Sequence, residues 1–437
     1  MTKAISAVLL GLSFSIVALA QPVTLEVATA SVPALPKVWT GVAGDTSIGA
    51  VSQRNPLHYL LVGKDKEPKG WNTYDGPASI KVLRQEGRHL ELQFKNPQFQ
   101  INEVGTLSAD GKQIQIASKD AKGLFTIDGD KITGCGNSHG TNGLFDHWLA
   151  SYSSWCDEYT IGSTLVKPAS QIVTILPKEW TGFISGASNR PANKPDSRHK
   201  ASPEKPWNTF DAPRTLTILR QEGRHIELLW KSAQSSGKWI GMIAQNGKEL
   251  QIDSRYGSVL LNISGEQMSG CGVDRGNKGT FQDWKNQYKT YCFNFVAGTT
   301  PPVLAKNTAI LPKEWKGNFT VTSEGAANRF NPLYQDNAFK DKESGWNAYE
   351  SSALITIQRQ EGQHLEILFK TQTYQMSFIG TLSFDGKQLM MVNNNAAHLF
   401  SVVGNTISGC GVARGSGIFE NWLGNYHASC NEWVVVQ

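Results

Sequence analysis

Apolar and polar positions alternate along much of this chain. Ile80, Val82, Leu90 and Leu92 fall on one parity, and Lys81, Leu83, His89 and Glu91 on the other, around the segment Gln85-Glu86-Gly87. Two alternating runs joined by a tight turn mark an antiparallel hairpin with one buried face. A three-residue loop with Gly in the left-handed position predicts that Val82 pairs with Leu90 and Ile80 with Leu92. The pattern returns with Ile218 opposite Ile226 and Ile357 opposite Leu365. Further turns fall at Asp110-Gly111, Asn246-Gly247 and Asp385-Gly386, then at Asp128-Gly129, Ser264-Gly265 and Gly404-Asn405. Each lies between apolar or β-branched runs, as hairpin turns do.

With a strand at Trp39-Thr40-Gly41 and a last one of the type Trp433-Val434-Val435-Val436, the count is eight strands per unit. Just before the last strand, Phe145, Trp148, Tyr152 and Cys156 stand at i, i+3, i+7 and i+11, one face of a helix. The predicted fold class is all-β with one short helix per unit. Eight antiparallel strands of this length close most simply into an up-and-down barrel. Ile, Val and Leu at the inward positions predict a filled interior, which argues against a deep cavity.

The unit occurs three times. Leu35-Pro36-Lys37-Val38-Trp39-Thr40-Gly41 returns at Leu176–Gly182 and Leu311–Gly317, with the Trp residues 141 and 135 positions apart. Such a period is the length of a small domain. Arg84-Gln85-Glu86-Gly87-Arg88-His89 recurs from Arg220 and from Arg359, and Gly-Cys-Gly followed by Phe-x-x-Trp recurs at Cys135, Cys271 and Cys410. The expected division is a signal peptide over 1–20 and barrels over 33–163, 170–298 and 306–437. Proline-bearing linkers, Leu165–Ser170 and Thr299–Val303, separate the barrels as semi-rigid spacers.

Lys3, an apolar run from Ala4 to Leu19, and Ala18-Leu19-Ala20 have the form of a cleavable export signal. The location expected is periplasmic or extracellular. The six cysteines fall two to a repeat, 21, 21 and 20 residues apart. In an exported chain even numbers imply disulfides, and the repeat selects Cys135–Cys156, Cys271–Cys292 and Cys410–Cys430. Their spacing lacks the short knuckle of a zinc site, so neither a metal nor a cofactor is expected.

Trp39-Thr40-Gly41, opening a meander of hairpins that ends in a helix and a disulfide-tied strand, resembles the lipocalin and avidin superfamily of small barrels. The resemblance spans each repeat. It implies a closed barrel and a capacity for small apolar ligands.

The net charge of +5 on 437 residues changes little, because the basic residues are scattered among acids. That pattern leaves no footprint for nucleic acid, and no later stretch is long and apolar enough to be a membrane span.

Candidate chemistry gathers in the long connection after the first strand. Trp71-Asn72-Thr73-Tyr74-Asp75 matches Trp207-Asn208-Thr209-Phe210-Asp211 and Trp346-Asn347-Ala348-Tyr349-Glu350. Arg54, Arg190 and Arg329 recur near its start, and Asn55-Pro56-Leu57 matches Asn331-Pro332-Leu333. Two readings fit: a binding lid with an aromatic platform, suited to sugars or other flat polar ligands, or a plug for one barrel mouth. Arg84, Arg220 and Arg359 share the parity of the apolar face, so they are expected to point into the barrel mouth. There they either receive an anionic ligand or pair with an acid, which is Glu86, Glu222 and Glu361 or the loop Asp75, Asp211 and Glu350. His89, His225 and His364, each followed two residues on by Glu, fall on the outer face and suit surface or interdomain packing. The Phe-Trp-Tyr stripe suits a core.

No nucleophile motif or phosphate loop repeats, so no catalytic residue is assigned. The expected function is multivalent binding of a small molecule, glycan or surface component through barrel-mouth loops. The alternatives are a structural or inhibitory protein docking on a protein partner, and a hydrolase using loop carboxylates such as Asp75 with Glu86.

Overall fold

The computed structural model describes residues 32–50, 69–97, 99–140, 145–162, 174–189, 207–276, 280–300, 309–325, 345–415 and 417–436. Residues 1–20, the linker prolines Pro168, Pro301 and Pro302, the three arginines 54, 190 and 329, and the Asn-Pro-Leu segments lie outside them.

The chain forms three closed antiparallel barrels of eight strands each, in up-and-down order. The first runs β1 (Val38–Ala50), β2 (Lys69–Glu86), β3 (His89–Lys95), β4 (Gln100–Leu107), β5 (Gln113–Ala117), β6 (Ala121–Asp128), β7 (Lys131–His139) and β8 (Tyr152–Ile161), with β1 paired to β8. The second spans Glu179 to Ala297 and the third Glu314 to Val435. Inward positions carry the apolar parity. Trp39, Ile80, Leu90, Leu92, Ile114 and Phe125 form the core of barrel 1, with counterparts in the other two.

The repeated signatures build the floor of each barrel. The Trp180 indole donates to the Pro177 carbonyl at 2.8 Å, and Trp315 to Pro312 at 3.0 Å. Gln85 accepts from the Leu35 amide at 2.8 Å, and Gln221 and Gln360 do the same for Leu176 and Leu311. Gly must follow in Trp-x-Gly. A Cβ on Gly41, Gly182 or Gly317 would sit within 2.0 Å of a carbonyl oxygen on the last strand of its barrel.

The hairpin register departs from the sequence expectation. Glu86 pairs with His89 across a two-residue turn at Gly87 (φ 58°), and a bulge separates Val82 from Arg84. Val82 therefore faces Leu92, and Ile80 faces Phe94. The bulge adds one residue, which reverses side-chain parity beyond it. Arg84, Arg220 and Arg359 consequently stand outside their barrels. The same bulge occurs in all three copies.

The helices α1 (Phe145–Ala150), α2 (Phe281–Asn286) and α3 (Phe419–Gly424) are shorter than the stripe suggested. Tyr152 and Cys156 belong to β8, so the stripe is split between helix and strand. Each disulfide therefore ties the seventh strand of its barrel straight to the eighth. Cys135–Cys156, Cys271–Cys292 and Cys410–Cys430 are all formed between directly paired residues. Closing a loop of this size stabilises a domain by roughly 3 kcal/mol in the chain-entropy account. Among the described residues, no helix is long and apolar enough to cross a membrane.

The barrels are packed together in a ring. The β8 and β1 wall of barrel 1 lies on strands Ser236–Ile243 and Glu249–Asp253 of barrel 2. The equivalent wall of barrel 2 lies on Gln375–Leu382 and Gln388–Val392 of barrel 3, and that of barrel 3 returns to β4 and β5 of barrel 1. The three helices meet where the barrels converge. Trp148, Trp284 and Trp422 interlock edge-to-face with ring centroids 5.4–5.8 Å apart, with Phe281 and Phe419 among them. The aromatic stripe is thus core, but core shared by three barrels.

Candidate functional site

The residues that repeat most closely meet at the three junctions. Trp71 lies beneath the Arg220 guanidinium at 4.6 Å, Trp207 beneath Arg359 at 4.4 Å, and Trp346 beneath Arg84 at 4.0 Å. Each Trp belongs to one barrel and each Arg to the next. Such stacking stabilises by about 0.5–2 kcal/mol, depending on desolvation. Each Arg also pairs with the Glu two residues on, Arg84 with Glu86, Arg220 with Glu222 and Arg359 with Glu361.

The acid of the same segment completes the contact. Asp75 accepts from Arg224 at 2.7 Å and meets the His225 ring at 2.9 Å. Asp211 lies 3.7 Å from His364, and Glu350 lies 3.5 Å from His89. Burial raises the Asp75 carboxyl, yet bonding to His225 and the Arg224 charge outweigh it and hold the group below its ordinary value. The other ring nitrogen of His225 meets Thr46 at 2.9 Å, and that of His89 meets Thr322 at 3.0 Å. The interdomain reading of the histidines is what the structure shows. Asn72, Asn208 and Asn347 are buried beside these contacts. The suggested carboxylate pair is not assembled, because Asp75 serves the junction of barrels 1 and 2 while Glu86 holds Arg84 at the junction of barrels 3 and 1.

A different site lies inside barrel 1. Its interior encloses a cavity of about 340 Å³, which corrects the expectation of a filled core. Phe94, Phe99, Phe125, Trp155, Ile80 and Ile116 supply apolar wall, and Asp45, Glu103, Asp157 and Tyr74 supply polar groups. The cavity reaches the end of the barrel where β3 turns into β4 and β5 into β6, with Asn96, Asn102, Ser118 and Asp120 along it.

Register identifies what the sister barrels hold at the same places. The counterparts of Glu103 are Trp239 and Phe378. Those of Asp157 are Phe293 and Asn431, and those of Asp45 are Gly186 and Val321. In barrel 2, Trp230 packs on Trp239 and edge-on against Phe293, which stacks on Phe295. In barrel 3, Phe369 meets Phe319, Phe378 and Trp433, and about 50 Å³ remains. Barrel 1 has an acid at three places where its sisters have none: Glu103 replaces a large ring of both sisters, Asp157 one of barrel 2 and an amide of barrel 3, and Asp45 a Gly and a Val.

The environment of these acids is unusual. Burial pushes Asp45 and Glu103 each up to about 8, and Asp157 adds to both by like-charge repulsion. Burial likewise pushes Asp157 up to about 7, although its carboxylate accepts from the Tyr159 hydroxyl at 2.7 Å and the Gly44 amide at 3.1 Å. Neither oxygen of Asp45 reaches a donor in good hydrogen-bond geometry, and the Ser153 hydroxyl gives only partial relief. Uncompensated carboxyls in an apolar compartment are costly and often mark functional sites. No repeated motif announces these residues. Their signal was the departure of one repeat from the other two.

No family model matches the chain, and no curated protein matches it. Among solved structures, a protein with unknown function from the DUF3598 family of Nostoc punctiforme aligns with a TM-score of 0.25 and 12% identity, over 59% of this chain and 96% of that one. The isotype 1 transferrin binding protein B from serogroup B Neisseria meningitidis aligns with a TM-score of 0.19 and 9% identity, over 92% of this chain and 77% of that one.

Proposed function

We propose that this chain is an exported small-molecule binding protein in which barrel 1 holds the ligand and barrels 2 and 3 serve as scaffold. The observation that carries the reading is the cavity of about 340 Å³ in barrel 1, where Glu103 and Asp157 stand in place of the Trp239 and Phe293 that fill barrel 2, with Asp45 as a third acid. Its volume and its mix of apolar wall with few polar groups match ordinary ligand sites. The three disulfides fit a periplasmic or extracellular setting, with residues 1–20 as the export signal. In this reading Trp71, Asn72, Arg84 and their counterparts Trp207, Asn208, Arg220, Trp346, Asn347 and Arg359 hold barrels together and do not touch ligand. Binding is accordingly monovalent per chain.

The sister barrels prescribe the test. Glu103→Trp with Asp157→Phe copies barrel 2 into barrel 1. N-phenylnaphthylamine, a neutral dye that brightens in apolar surroundings, should brighten with the mature wild-type chain and stay dim with the double variant. The variant should melt no lower than wild type, since buried acids are replaced by apolar groups. Equal brightening by both proteins would place the dye elsewhere and remove support for the cavity.

A further inference from the structure

Three carboxyl groups face one compartment, and no cation faces them from within it. At Glu103 burial and the Asp157 charge both act against ionisation and no hydrogen bond or cation offsets them, and Asp45 finds no well-formed hydrogen bond. Of the basic side chains nearby, Lys119 is exposed at the rim. Arg224 lies across the barrel wall and is engaged by Asp75 and by the carbonyls of Cys156 and Ile243. The remaining titratable groups lining the cavity are Tyr74, His139, Asp120 and Tyr426 of barrel 3, with Tyr159 behind Asp157 as its hydrogen-bond donor. The His139 ring stacks on Trp148 at 3.9 Å, and burial pushes it down to about 3, so it stays neutral. The compartment therefore has surplus acid, which the Arg224 charge offsets only in part and only at Asp157.

The geometry also narrows the counter-charge. Among the described residues, no three Asp, Glu, His or Cys side chains converge as a metal-ligand group. The acids are instead spread along a wall that is otherwise Phe94, Phe125 and Trp155. An ammonium brings three donors to such acceptors, and the faces of aromatic rings attract it as well. A hydrocarbon or aryl body would then take the place of the rings that fill barrels 2 and 3.

We infer that the ligand of barrel 1 is a protonated organic amine with an apolar body. Its ammonium lies against the wall that carries Asp45, Glu103 and Asp157, and its body lies against Phe94, Phe125 and Trp155. The inference rests on the reading of barrel 1 as a ligand compartment and adds the chemical class to it.

Calorimetry with two matched probes tests it on the mature full-length chain. Phenethylamine carries the ammonium; phenethyl alcohol has the same body without the charge. At about pH 8, where the acids ionise most readily, the amine should bind at least about tenfold tighter than the alcohol. That advantage should collapse near pH 5, where the carboxyls are protonated while the amine keeps its charge. Amine binding should also release protons, seen as a heat that varies with the buffer. Glu103→Gln should cut amine affinity about tenfold or more and leave the alcohol unchanged, and Asp157→Asn provides a second, equally conservative variant.

If the alcohol binds as well as the amine, and Glu103→Trp with Asp157→Phe excludes both, the amine inference falls while the compartment stands. If both probes are silent but N-phenylnaphthylamine still brightens, the amine inference falls alone. If all three are silent, the compartment reading falls with it.

Discussion

Barrels 1 and 2 share topology, disulfide placement, floor and docking contacts, yet their interiors follow opposite rules. In barrel 2, Trp230, Trp239, Phe293 and Phe295 touch one another and fill the space. In barrel 1, two of those positions are Glu103 and Asp157, and a cavity remains. Everything that makes the barrel a barrel is held constant. The difference therefore isolates what a site costs: lost aromatic packing together with desolvated acid.

The sharpest way to break the comparison is to move one acid across. Phe293→Asp places the carboxyl of Asp157 into the packed interior of barrel 2. Loss of a buried ring alone costs ~3–5 kcal/mol, and an unpaired acid adds to it. Urea unfolding should show a loss of about 5 kcal/mol or more. A mild loss would mean that barrel 2 tolerates polar interiors as well, and the contrast would lose its meaning.

At the junctions the barrels should behave alike. Trp71→Ala, Trp207→Ala and Trp346→Ala should each cost ~3 kcal/mol in the same assay, because each removes the same stacked arginine platform. If Trp71→Ala alone were harmless, barrel 1 would differ in its docking as well as in its interior.

The smallest effect concerns pH. A carboxyl whose pKa is raised by folding binds its proton more tightly in the native state, so its contribution to stability is lost as pH rises through the raised value. For Asp45 and Glu103, each pushed up to about 8, that loss runs from about 4 to about 8. Buried His139, His398 and His427, pushed down to between about 3 and about 4, oppose it below 6.5. Above about 8, Lys122, which burial pushes down to that value, acts in the opposite direction. The unliganded protein should therefore lose stability between about pH 6.5 and 8, and Glu103→Gln should remove roughly 1 kcal/mol of that decline. Denaturant midpoints across this window would show it. An unchanged slope in the variant would place the titration elsewhere.

The fold was legible because alternation, turn glycines and cysteine pairs are local signals, and three copies repeat each of them. The register was not, since a bulge at Leu83 leaves no trace in the apolar pattern, and its parity change moved Arg84 from the barrel mouth to the neighbour's Trp346. The junction residues were visible as a recurring set. Their partners were not, because Trp71 and Arg220 lie in different repeats and no periodicity links them. The cavity escaped for the opposite reason. Repetition marks what the copies have in common, whereas Asp45, Glu103 and Asp157 matter because they are not shared.

The ring also bears on how such a site could arise. Had three identical chains formed the same assembly, every replacement would appear three times over. An acid at position 103 would then open all three barrels at once and triple the instability. Joining the copies in one polypeptide lifts that symmetry. Two barrels can stay solid and hold the assembly closed, while the third is free to become hollow and acquire a private chemistry.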